Sequence, residues 1–216
     1  MAHPIICGII GCGVIAPEHI KSYQFIDGVT VKWACDLVRE RAEKEAIRRL
    51  KEIVRIAEDG GVVCVHENCT GWAGQSWEHT LRMLDAIPSP ALRLVFDTGN
   101  PVHELNVRGN EPYAWQDSLE YYEHVKEHVV YVHIKDGRMN GNTMEHTWPG
   151  EGVGHVREIL SDLYKRGYDG GISIEPHMAV VAHDPSVRSD DDIRYWNFVE
   201  YGRRTEKIVR ETGWKA

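Results

Sequence analysis

Four short apolar, β-branched runs in the C-terminal two-thirds of this 216-residue chain each end in a residue able to bind a hard metal ion. They are VVCVHEN with Glu67, LRLVFDTGN with Asp97, VYVHIKDG with His133 and GGISIEPH with Glu175. A helical stretch separates each run from the next, the pattern of parallel βα units in an α/β fold. In such sheets the carboxyl ends of the strands open on one crevice, so residues far apart in sequence can meet. Two Glu, one Asp and one His make a mostly oxygen ligand set, suited first to Mn²⁺, with Mg²⁺, Co²⁺ and Zn²⁺ also open. Any one of these acids serves equally well as a helix cap. Four at the same place in successive units are much harder to obtain from capping alone.

Strand parity supports the grouping. Side chains alternate faces with a period of two, which puts Val63 and Val65 with Glu67, Val95 with Asp97, Tyr131 with His133 and Ser173 with Glu175. The opposite face carries Phe96, Val132, Ile172 and Ile174, apolar enough to lie beneath helices. Over the whole chain the periodicity predicts strands at 5–10, 29–35, 62–67, 92–97, 129–134 and 171–175. Helices are predicted over 17–25, 39–58, 75–86, 114–128, 153–166 and 191–211, with loops at 98–112, 137–152 and 176–190. Trp72 and Trp148 fall on loops beside these strand ends, as walls of a pocket or as core.

Composition narrows the partners. A net charge of −8 and a pI near 5.8, without any Lys/Arg-rich run, argue against nucleic acid as a partner. The longest apolar stretch is far too short to span a bilayer, so no membrane partner is expected. The five cysteines include no CxxC pair, and no signal peptide is read; free thiols in a reducing cytoplasm are the expectation.

The N-terminal segment differs from the rest. Gly11-Cys12-Gly13-Val14-Ile15-Ala16 is a GxGxxA turn after a strand and opening a helix, and Asp36 ends the next strand. Gly11, Gly13 and Ala16 would let the backbone approach a pyrophosphate, and Asp36 would accept from a ribose hydroxyl, so weak NAD(P) binding is open. The run GIIGCGVIAPEHIKSYQFIDGVTVKWACD resembles the opening of the Gfo/Idh/MocA family of NAD(P)-dependent sugar oxidoreductases. The resemblance covers about residues 4–47, which implies a Rossmann-like βαβ fragment over 1–47; that family's catalytic Lys motif and substrate domain have no counterpart here.

From 48 to 216 the chain resembles a second family. RRLKEIVRIAEDGGVVCVHENCTGWAGQ, LVFDTGNP, YVHIKDGR, PGEGVGHVREIL and GYDGGISIEPH are similar to the C-terminal half of xylose-isomerase-like TIM barrels, the sugar phosphate isomerase/epimerase group. The resemblance implies metal ligation by Glu67, Asp97, His133 and Glu175, with the two Glu as the acid/base pair. It implies substrate contacts at Asn100, where that family often has His, and at Arg138. His155 stands where the family's GEG loop leads to an acid. Lys135, two residues past His133, is read either as an oxyanion holder or as a solvated loop residue.

The fold expected is therefore α/β: half of a TIM barrel preceded by a Rossmann βαβ fragment, a chimeric or incomplete barrel. Six strands cannot close the eight-stranded barrel. Open packing, a smaller barrel and completion by a second copy all stay open, the last implying a homo-oligomer. The expected activity is metal-dependent isomerisation or epimerisation of a small sugar or sugar phosphate through an enediolate. An NAD(P)-binding oxidoreductase remnant and an inactive fusion product are the alternatives.

Overall fold

The computed structural model of the chain describes residues 5–10, 16–35, 39–107, 111–178 and 191–215. It divides into two compact units, Met1–Val63 with Asp85–Ala91, and Cys64–Leu84 with Leu92–Ala216.

In the first unit β1 (Ile5–Ile10) and β2 (Val29–Cys35) pair in parallel, Ile5 opposite Val29. The intervening α1 (Ala16–Gln24) buries Ala16 and Ile20. Gly11, Gly13 and Asp36, the other residues of the nucleotide reading, lie outside the described residues. The charged helix α2 (Arg39–Asp59) keeps its ladder in register through Glu45, whose carboxylate accepts from Arg48 at 2.8 Å and Arg49 at 3.0 Å. The whole of α2 belongs to this unit, so the structural division at Val63 falls beyond the boundary of resemblance at 47/48.

The second unit is built on a four-stranded sheet of order β3–β4–β5–β8, parallel throughout. Its strands are β3 (Cys64–Glu67), β4 (Leu92–Asp97), β5 (Val129–Ile134) and β8 (Gly171–Ile174). The period-two pattern holds where helices cover the sheet: Phe96, Val132 and Ile134 are at most 1% exposed. Phe96 packs with Tyr121 and Tyr122 of α4 (Ser118–Val125), lying 5.9 and 5.5 Å from the two rings. Ile159, Leu160 and Leu163 of α5 (Val156–Lys165) are buried, as are Tyr201 and Ile208 of α6 (Asp191–Glu211). Opposite, on the face that carries the acids, Val65 and Tyr131 are 49% and 37% exposed. Trp77 opens the remaining helix, α3 (Trp77–Ala86).

Several boundaries differ from the sequence reading for local reasons. The predicted helix 114–128 starts at Ser118 because the Asp117 side chain caps it, accepting from Glu120 N at 2.8 Å, and its end tightens to a 3₁₀ turn at Lys126–His128. Another 3₁₀ turn, Asn100–His103, interrupts the predicted loop 98–112. The loop 137–152 contains an antiparallel hairpin, β6 (Gly137–Asn140) and β7 (Thr143–His146). Its turn rests on Gly141 at φ +60°, and its strands lack the apolar alternation that would have marked them. Among the described residues no helix is long and apolar enough to cross a membrane.

Candidate metal centre

The register of the sheet builds the site. Glu67 stands opposite Val95, Asp97 opposite His133, and His133 opposite Ser173, so the four strand ends finish at one level. Glu175 directly follows β8, and its N–H donates to the Ile134 carbonyl at 3.0 Å. Asn68 locks the β3–β4 ends together: its side-chain amide donates to the Asp97 carbonyl at 3.0 Å, and its oxygen accepts from Asp97 N–H at 2.7 Å. Sequence reasoning passed over Asn68; its only signal is an amide residue directly after a strand-end acid.

One ligand atom from each of Glu67, Asp97, His133 and Glu175 lies within 4.8 Å of every other. The sequence-predicted quartet is therefore brought together. His133 Nδ1 is 3.3 Å from Glu175 Oε2 and 3.5 Å from Glu67 Oε1. Asp97 Oδ1 accepts from the N–H groups of Gly99 at 2.8 Å and Asn100 at 2.7 Å, which aims Oδ2 into the cluster. Asp97 Oδ2, His133 Nδ1 and Glu175 Oε2 are all buried without a directed hydrogen bond. Three carboxylates and one imidazole that converge in so small a space are costly in a metal-free fold, and a divalent cation would satisfy them. A mostly oxygen set with one imidazole fits Mn²⁺ or Mg²⁺ best.

A cation of the chain itself already touches this cluster. The Lys135 ammonium is 3.2 Å from Asp97 Oδ2 and 3.3 Å from Glu175 Oε1, and the side chain is 5% exposed. Of the two readings of Lys135, the solvated one falls. Its stem fits because residue 99 is Gly: a Cβ there would lie 2.7 Å from Lys135 Cγ. Burial opposes the charge on Lys135, but Asp97 and Glu175 outweigh burial and raise its pKa. Burial pushes the Asp97 carboxyl well above the usual range, with Lys135 opposing. Glu175 moves the other way, held low first by its hydrogen bond with His177, whose Nε2 is 3.1 Å from Oε1.

The remaining predicted contacts divide. Asn100 is buried and donates from Nδ2 to Glu67 Oε1 at 3.0 Å, so it steadies a quartet member. Arg138 sits on β6 with its guanidinium 3.3 Å from Glu145 and is 55% exposed; the contacts of the cluster do not include it. Trp148 stacks beneath Arg204 of α6 at 4.4 Å. His155 lies in the left-handed region at φ 52° and contacts Asp117 at 3.2 Å.

A residue that the sequence did not flag organises the loop behind the cluster. Asp136 is 1% exposed and accepts from four backbone N–H groups: Gly137 (2.8 Å) and Gly154 (2.9 Å) on Oδ1, Gly150 (2.8 Å) and Gly152 (3.1 Å) on Oδ2. The PGEGVG glycines are thereby explained, since a Cβ on residue 152 would run into Asp136 Oδ1 and the Gly137 backbone.

Comparison with known proteins agrees with this architecture. The profile of the xylose isomerase-like TIM barrel family matches residues 6–197, beginning well before the boundary of resemblance at 47/48. An uncharacterised protein of Methanocaldococcus jannaschii is 36% identical over 129 residues, 58% of this chain and 41% of that protein. Fructoselysine 3-epimerase of Escherichia coli O157:H7 is 27% identical over 129 residues, again 58% of this chain and 42% of the relative. The crystal structure of a D-tagatose 3-epimerase-like protein superposes with a TM-score of 0.56 at 27% identity, covering 81% of this chain and 58% of that one. The chain thus spans about two fifths of the length of the curated relatives it matches. With parallel βα units, a quartet at the strand ends and a family match over most of its length, the chain belongs to the xylose isomerase-like TIM barrel family.

Proposed function

We propose that the chain carries the metal and acid/base centre of an isomerase or epimerase acting on a small sugar through an enediolate. The observation that carries this reading is the convergence of Asp97 Oδ2, His133 Nδ1 and Glu175 Oε2, all buried, with Glu67 beside them and every ligand atom within 4.8 Å of the others. Glu67, Asp97, His133 and Glu175 would hold a divalent ion, Mn²⁺ by preference. When bound, that ion supplies Lewis-acid stabilisation of negative charge on adjacent substrate oxygens. The names of the epimerase relatives support the substrate class.

The chain's own residues handle the proton. Glu67 and Glu175 come from the two outer strands of the four, with β4 and β5 between them, so a substrate lying across β4–β5 is flanked by both. One carboxylate takes the proton from the carbon beside the carbonyl and becomes the acid, and the other, starting as the carboxylic acid, gives its proton to the enediolate and becomes the carboxylate. The His177 contact, Nε2 to Oε1 at 3.1 Å, orients Glu175 and favours its ionised form. Asn100 fixes Glu67 through Oε1. Lys135, between Asp97 and Glu175, offsets the negative charge gathered there.

Calorimetry with Mn²⁺ and Co²⁺, paired with deuterium uptake at the carbon beside the carbonyl of ketoses in ²H₂O, tests this. Tight metal binding in the parent, lost in Glu175→Gln, is expected together with metal-dependent exchange. No metal binding, or full binding in Glu175→Gln, sinks the reading. Metal binding without exchange of any ketose leaves a metal centre without turnover, the outcome of an inactive fusion.

A further inference from the structure

One cation of the chain shares the carboxylates of the quartet, and several elements fix its place. Lys135 lies just past β5, two residues beyond His133. Its backbone is clamped by Thr98, whose hydroxyl accepts from Lys135 N–H at 3.1 Å and donates to the Lys135 carbonyl at 2.6 Å. Residue 99 leaves room for the stem only as glycine, since a Cβ there would lie 2.7 Å from Lys135 Cγ and 3.0 Å from its Cβ. The ammonium end then meets two carboxylates from different strands. It donates to Glu175 Oε1 at 3.3 Å, an oxygen that also faces His177 Nε2 at 3.1 Å. The other oxygen, Glu175 Oε2, turns to His133 Nδ1 at 3.3 Å. Towards Asp97 the ammonium makes an ion pair with Oδ2 at 3.2 Å, while Oδ1 accepts from the N–H groups of Gly99 and Asn100. Asp97 is 0% exposed, so solvent does not screen that pair.

We propose that the Lys135 ammonium is the resident counter-cation of the metal-free centre and competes with a divalent ion for Asp97 Oδ2, staying on Glu175 Oε1 as a positioning group. This rests on the metal reading above and adds a built-in limit on affinity. Glu67, Asp97 and Glu175 converge with a single imidazole among them, and without a positive charge their carboxylates repel one another. Lys135 brings that charge from within the fold, and Asp97 and Glu175 keep it protonated against burial. The same charge repels an incoming divalent ion and occupies an oxygen that the ion needs. Glu175 divides its two oxygens between different partners, so only the Asp97 contact has to be given up. Order in the metal-free centre and affinity for metal therefore oppose each other at this one side chain.

Lys135→Met keeps the length and the apolar stem and removes the charge. Calorimetry should show Mn²⁺ binding at least about tenfold tighter than in the parent. In chelator the variant should unfold at lower urea concentration, because buried carboxylates have lost their partner. Mn²⁺ should then raise the urea midpoint of the variant more than that of the parent. In the parent, the Lys135 ammonium protons, followed by NMR through ¹⁵Nζ, should exchange with water faster once Mg²⁺ saturates the centre. Equal or weaker Mn²⁺ binding by folded Lys135→Met overturns the proposal and leaves the metal reading standing. Unchanged or slower ammonium exchange in Mg²⁺-saturated parent does the same, and that measurement holds even where the variant fails to fold. Binding by the variant alone would support the competition while failing the metal reading of the parent. No Mn²⁺ binding by either protein overturns both.

Discussion

Replacing Asp136 by Asn exchanges one oxygen for an NH₂ group and should destabilise the second unit severely. Each carboxylate oxygen accepts two backbone N–H groups, Oδ1 from Gly137 and Gly154, Oδ2 from Gly150 and Gly152. An amide can keep one oxygen in place, but its NH₂ then faces two N–H donors that have lost their acceptor. Hydrogen bonds to a charged group contribute about 1.5–3 kcal/mol each, and the side chain is buried, so water does not replace them. Taking the low end for two lost bonds gives about 3 kcal/mol. With an m-value of about 2 kcal/mol/M, the urea midpoint falls by about 1.5 M. Equilibrium urea unfolding followed by tryptophan fluorescence reads this directly, since Trp148 lies in the affected loop. Gly152→Ala should act in the same direction, because its Cβ would displace Asp136 Oδ1. A midpoint within about 0.3 M of the parent for Asp136→Asn, a shift typical of neutral surface changes, would refute the account of this carboxylate as the anchor of the loop.

Other expectations reach the remaining parts of the chain. Asn68→Ala removes both bonds across the β3–β4 ends and frees Glu67 to drift; Mn²⁺ affinity should fall about tenfold to a hundredfold although Asn68 is not a ligand, and unchanged calorimetric affinity would refute the clamp. His146 is depressed to about 4 from 6.5, first by burial and then by the charges of His177, Lys135 and His103. The unfolded chain therefore takes up a proton below pH 6.5 that the folded chain refuses until about pH 4. Stability is full above pH 6.5 and declines towards pH 4, by about 2 kcal/mol after discounting for partial exposure. Urea midpoints at pH 7 and pH 5 in chelator should differ less in His146→Gln, and an equal difference in variant and parent would count against this. The N-terminal reading demands that NAD⁺ or ADP-ribose bind, at micromolar affinity or more weakly, and that Gly13→Val abolish it. Equal calorimetric traces for the two proteins would leave the GxGxxA turn with a purely structural role.

The convergence of Glu67, Asp97, His133 and Glu175 was legible because two signals coincide at each member: a β-branched run with period two, and an acid or His at its end. Both are local, and the parallel register turns local regularity into convergence. What supports the quartet is not local. Asp136 matters through amides 14 to 18 residues away, and Asn68 and Asp97 meet across 29 residues. His177 acquires its role only when Glu175 is placed beside it. Lys135 admitted two readings because its neighbours in sequence, Ile134 and Asp136, say nothing of the carboxylates that face it across the sheet. The hairpin escaped notice because GRMN and TMEH carry no alternating apolar face, so its pairing is fixed by Gly141 and by close approach at Gly137, where a Cβ would lie 2.6 Å from the Glu145 carbonyl oxygen.

Metal binding and substrate binding make different demands on this architecture. The quartet depends on four adjacent strands, their register and the Asn68 clamp, all contained in the second unit. Nothing in its geometry requires further strands, because each ligand reaches the common point from the end of its own strand. Substrate recognition draws on a wider surface. The acid-bearing face of the sheet still exposes Val65 and Tyr131, apolar side chains on the same side as Glu67 and His133. In a barrel such positions are covered by interior layers from neighbouring strands. On the proposed reading, residues 64–175 alone would supply the coordination half of the chemistry. On the same reading, the β6–β7 hairpin and the turn at Asn100–His103 would supply part of the wall around a substrate. Mutations in the quartet should accordingly act on metal affinity, and mutations in the hairpin on substrate affinity at constant metal affinity.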